Sequence, residues 1–98
     1  MLLGLVAASD AEEQHLVGLA SAAVRRGWQV RCFLTDCGVR LARSVALLEL
    51  AGKGAIQLTV CEHSWEMYGN GSMAAGAVLG SQYQNAELAH VCDRVIVL

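Results

Sequence analysis

Four cysteines, Cys32, Cys37, Cys61 and Cys92, are the side chains of this 98-residue sequence best suited to covalent chemistry. Cys61 has the most suggestive surroundings. It directly follows the apolar run Ile56-Gln57-Leu58-Thr59-Val60 and opens Glu62-His63-Ser64-Trp65-Glu66-Met67-Tyr68, which is compatible with a short helix. Backbone N–H groups at the start of a helix stabilise an anion, so a thiol placed there ionises more readily. The thiolate is the nucleophile, and it can accept a sulfane sulfur as a persulfide. A protonated His63 supports that anion and Glu62 opposes it. His63, Ser64 and Trp65 are the expected supporting residues, and Trp65, Met67 and Tyr68 either wall the site, anchor a subunit interface or pack as ordinary core. The other reading of Cys61 is a buried, inert cysteine at a strand end.

Cys37, in the turn Asp36-Cys37-Gly38, is a second loop thiol. It can resolve a persulfide or disulfide on Cys61 if the two strand ends are neighbours, and otherwise has no task. Cys32 falls within a strand and reads as core. Cys92 falls where the last helix meets the last strand, at the amino end of the sheet, and reads as packing.

Other chemistries find less support. Cys61-x-His63 and His90-x-Cys92 have ligand-like spacing, but the expected fold puts them at opposite ends of the sheet, and a metal site needs three or four convergent ligands. No metal and no cofactor is therefore expected. Cys61-Glu62-His63-Ser64 has the CxxS form of a monothiol redox motif but does not follow the first strand, where thioredoxin-like proteins carry it. Gly69-Asn70-Gly71-Ser72 lacks the GKS/T ending of a P-loop and the GxGxxG order of a dinucleotide turn, and reads as a flexible connection. No GxSxG elbow is present for Ser-His-Asp chemistry.

The elements that must position Cys61 alternate. Leu2 to Ala7 is a continuous apolar run, as in a strand covered on both faces. Ser9 and Asp10 cap a helix over Ala11 to Arg26, whose Leu16, Leu19, Ala20, Ala23 and Val24 recur at helical spacing before Gly27 stops it. Trp28 to Thr35 reads as a strand, Val39 to Ala51 as a helix and Ala55 to Val60 as a strand. Met73 to Leu79 fits either a helical turn or a close approach of backbones. Gln82 to about Val91 reads as helix and Asp93 to Leu98 as the closing strand. This order predicts an α/β fold with a parallel sheet, right-handed crossovers and helices on both faces. Chemistry in such sheets sits outside the carboxyl ends of the strands, which selects Asp10, Asp36, Cys37, Cys61, Glu62 and His63.

Length limits the chain to one domain, residues 1–98. The composition is 55% hydrophobic and 16% charged, which is more apolar than soluble domains usually are. Apolar surface left over by so small a core is expected to be buried in a homo-oligomer. The net charge is −2 and no basic cluster exceeds Arg25-Arg26, which argues against direct nucleic-acid binding. No apolar run approaches a membrane span. The apolar start lacks a basic flank and reads as a buried strand rather than a signal segment. Four cysteines without a dense framework read as thiols, so a cytoplasmic location is expected.

Almost the full length of the chain, and most specifically its second half, resembles the DsrE/DsrF-like family of small sulfur-relay proteins, which includes the TusD-type carriers. The resemblance is carried by a strand ending in Val60-Cys61, a short helix, Gly69, Gly80-Ser81, a helix with Glu87-Leu88-Ala89, and Cys92-Asp93-Arg94-Val95-Ile96-Val97-Leu98. Asp36-Cys37-Gly38-Val39 falls where that family has a turn of similar shape. The resemblance implies a three-layer α/β/α sandwich with a mainly parallel five-stranded sheet, assembled as a dimer, trimer or hexamer. It also implies that Cys61 accepts sulfur from a donor protein and passes it to an acceptor. The alternatives are a non-catalytic oligomeric scaffold and a small-molecule-binding subunit of the same fold.

Overall fold

The computed structural model describes residues 1–73 and 75–98. The strands are β1 (Leu2–Ala7), β2 (Gln29–Leu34), β3 (Ile56–Cys61), β4 (Ala77–Gly80) and β5 (Arg94–Val97). The helices are α1 (Glu13–Arg25), α2 (Val45–Gly52), α3 (Glu62–Tyr68) and α4 (Gln82–Val91). All four strand pairings are parallel, in the order β4-β3-β2-β1-β5. The expected mainly parallel sheet is thus parallel throughout.

The strand order explains the layers. From β1 to β4 the chain steps across the sheet in one direction, and then α4 carries it back past β1. A right-handed crossover that reverses direction puts its helix on the opposite face. On one face, Leu3, Leu5 and Ala7 of β1, Val30, Cys32 and Leu34 of β2, and Ile56, Leu58 and Val60 of β3 pack against Leu16, Ala20 and Ala23 of α1 and Leu47 of α2. The other face has α4 alone, and its buried cluster is Val6, Phe33, Cys61 and Leu88, with Cys92 packed against it.

Local signals set the element ends. The Ser9 side chain accepts from the Ala11 N–H, and a 3-10 turn, Asp10–Glu12, precedes α1. At its other end Gly27 has φ +78°, while Trp28 N–H donates to Ala23 O and Gly27 N–H to Val24 O. This double bond pattern with a left-handed glycine is a Schellman stop.

Two expectations change. The helix read over Val39 to Ala51 is a 3-10 segment, Asp36–Arg43, followed by α2, with Ser44 between them capping the Leu47 N–H. The 3-10 segment begins early because it must lie against the end of β1: a Cβ on Gly38 would stand 2.3 Å from the Ala7 carbonyl oxygen. The ambiguous stretch Met73 to Leu79 yields the short edge strand β4 after a turn at Ala75 and Gly76, while its Ala74 lies outside the described residues. No helix is long and apolar enough to cross a membrane among the described residues.

Candidate functional site

β3 runs one residue further than the sequence suggests, so Cys61 is both its last residue and the N-cap of α3. Cys61 pairs with Gly80 in the sheet register. Ser81 follows Gly80 at once and starts α4 with a capping box, accepting from the Tyr83 N–H while Gln84 accepts from the Ser81 N–H. This register delivers the first residue of α4, Gln82, to the Cys61 sulfur. Gln82 Nε2 lies 3.5 Å from Cys61 Sγ and 3.2 Å from Thr35 Oγ1.

Thr35 Oγ1 and Ser64 Oγ are 3.4 Å apart, and the Asp36 N–H donates to Ser64 Oγ at 2.9 Å. Four elements therefore converge: the end of β2, the end of β3, α3 and α4. Asp36 adopts φ +50°, a left-handed conformation that non-glycine residues seldom take and Asp tolerates better than most. That turn aims its N–H at Ser64.

Cys61 is only 3% exposed and Ser64 only 5%. Burial pushes the Cys61 thiol up. The Ser64 hydroxyl and N–H, the Gln82 amide and the His63 N–H act the other way and prevail, so the thiol lies below its ordinary value. The Cys61 side chain makes no cap hydrogen bond to α3. Cys32 provides the contrast: burial without donors pushes it up to about 12. At Cys92 burial also raises the thiol, with Arg31 opposing and Asp93 reinforcing the rise.

The sequence-derived candidates separate. Ser64 is buried near Cys61, and its hydroxyl and N–H lower the thiol. His63 is exposed and reaches the sulfur through its backbone N–H. Trp65 turns toward the larger core, covers Gly69 and donates from Nε1 to Gly71 O at 3.3 Å. It braces the loop after α3, where Arg43 also donates to Asn70 O. Cys37 shares the carboxyl-end rim, with its Sγ 3.6 Å from Ala8 O, across β2 from Cys61. Cys92 Sγ lies against Gly4, in the amino half of the sheet. Among the described residues no three His, Cys, Asp or Glu side chains converge as metal ligands.

Gln82 and Thr35 were not singled out by the sequence. They lie 21 and 26 residues from Cys61 and belong to no motif; only the Cys61–Gly80 register brings Gln82 in. The crevice where strand order reverses, the usual ligand position in such sheets, lies between β1 and β5. There Ala8 N–H donates to Leu98 O and joins the two strand ends. Cys61 lies two strands away.

No protein-family model matches the sequence, and no curated protein sequence does. The fold is similar to a solved structure titled crystal structure of ychN protein from E. coli, with a TM-score of 0.72 at 11% identity. The match covers 99% of this chain and 97% of that one. At that identity the likeness establishes a shared fold.

Proposed function

We propose that this chain is a single DsrE-like domain that carries sulfur as a persulfide on Cys61, as a sulfur carrier or sulfurtransferase subunit of an intracellular relay. The observation that carries the reading is a strand-end thiol whose ring of neutral donors outweighs its burial. The whole-chain fold match and the sequence resemblance around Cys61 support it. In the first step the Cys61 thiolate attacks the outer sulfur of a donor persulfide, R–S–SH. The new S–S bond forms as the donor's S–S bond breaks, giving Cys61–S–SH and R–S⁻. An acceptor thiolate then takes the outer sulfur by the same exchange and releases Cys61 as thiolate. Cys37 is the candidate second thiol of this rim. Donor and acceptor are proteins of the cytoplasm, and the chain works as a homo-oligomer through apolar surface such as Val78, Val95 and Val97.

The burial of Cys61 favours a second reading, an oligomeric scaffold or small-molecule-binding subunit in which the thiol is merely packed. One experiment separates the two. The protein is incubated with a sulfane-sulfur donor and its intact mass is measured with and without Cys61→Ser. The carrier gains one sulfur that the variant does not. No gain on the unaltered protein sinks the carrier reading.

A further inference from the structure

The side chain of Gln82 is exposed, yet both ends of its amide are engaged. Asn85 Nδ2 donates to Gln82 Oε1 at 3.1 Å, which assigns the amide's acceptor end to Asn85. The donor end must then face Cys61 Sγ and Thr35 Oγ1. Ser64 is arranged in the same sense. Its oxygen accepts from the Asp36 N–H, which leaves its O–H to donate. Thr35 Oγ1, 3.4 Å from Ser64 Oγ, can accept that O–H, so the Gln82 amide is the side-chain donor within hydrogen-bond distance of the sulfur.

The charged or titratable side chains on the surrounding elements are Arg31 and Cys32 of β2, Asp36 and Cys37 after it, Glu62, His63, Glu66 and Tyr68 on α3, and Tyr83, Glu87 and His90 on α4. Arg31 and Glu87 pair with each other at 3.5 Å. Among the described hydrogen bonds, the side-chain partner of Cys61 Sγ is Gln82, a neutral group.

We infer that Gln82 is a positioning residue for Cys61: its amide holds the sulfur at the end of β3 and donates to the negative charge this sulfur carries. The second consequence rests on the persulfide reading. Cys61 bears that charge twice in a transfer cycle, before it accepts sulfur and again when it leaves. Stabilising it makes each thiolate a somewhat weaker nucleophile but a better leaving group. Gln82 therefore favours release of sulfur to the acceptor.

The test maps the alkylation rate of each cysteine against pH, by peptide mass, in the unaltered protein, Gln82→Leu and Gln82→Glu. The Cys61 midpoint rises by about one pH unit in Gln82→Leu, so alkylation below it slows about tenfold. It rises further in Gln82→Glu, where a carboxylate faces the thiolate. Thermal unfolding supplies the control. A carboxylate in the first turn of a helix is favourable, so Gln82→Glu melts no lower than the unaltered protein while its Cys61 moves most. A midpoint unmoved in both variants, or one that moves only with a lowered melting temperature, overturns the inference. Shifted midpoints in a protein that takes up no sulfur would remove the carrier reading and keep the role of Gln82. Sulfur uptake with unmoved midpoints would do the reverse.

Discussion

The two faces of the sheet are built to different depths. One is covered by α1, the 3-10 segment and α2, and its strands contribute an unbroken set of apolar side chains. The other has α4 alone, which buries only Leu88 and leaves Val95 and Val97 open at one edge and Val78 at the other. Cys61 belongs to the thinner face, and Cys32, one strand away, to the thicker. Burial alone makes a thiol inert, as at Cys32. Beside the thin face, polar groups from strand and helix ends reach the sulfur. The larger core and the thiol lowered by its neighbours thus lie on opposite sides of one sheet.

The same truncation on each face tests this most strongly. Leu47→Ala, in the thick layer, is expected to lower unfolding stability by about 4 kcal/mol, and Leu88→Ala, under α4, by about 2 kcal/mol. Urea unfolding gives both values. Cys61 alkylation should change only in Leu88→Ala, because α4 carries Gln82. Equal losses would erase the distinction between the faces.

A smaller effect concerns pH. The Cys32 thiol is raised in the folded protein, so its contribution to stability is complete below about pH 9. Above that the unfolded chain releases the proton first, and stability falls by up to about 1.4 kcal/mol per pH unit toward the folded value of about 12. Cys32→Ala should flatten this alkaline slope while lowering stability at neutral pH. Urea unfolding at pH 8 and pH 10 compares the two proteins.

The smallest effect on the fold is expected at Val97, which is 70% exposed. Val97→Lys should alter the unfolding of the single chain by no more than about 0.5 kcal/mol. On the oligomeric reading it lowers the mass seen in sedimentation. An unchanged mass would move the proposed interface elsewhere.

Much of this arrangement was legible in the sequence. The continuous apolar run at β1 announced a strand covered on both faces, and Gly80-Ser81 announced the start of α4. The break at Ser44 was hidden because Val39, Leu41, Val45 and Leu48 fit a single helix, although Ser44 is itself a capping residue. β4 was hidden by the small residues that lead into it, such as Ala75, Gly76 and Ala77, which suit a helical turn as well. At the site, the strand end and Ser64 were readable because they are local. Thr35 and Gln82 were not, since their proximity depends on strand register across the sheet.

The position of β5 beside β1 has a consequence for how the chain acquires its structure. Leu2 N–H donates to the Asp93 carboxylate across 91 residues of sequence, and Leu98 exchanges both backbone bonds with the end of β1. During synthesis β1 emerges first and its outer partner last. Until then an apolar strand with unpaired amides is open to any other strand it meets. Closing so long a loop is also slow compared with forming the local strand–helix units. Until β5 docks, the outer edge of β1 is therefore unguarded, which is when a chaperone would have most to protect.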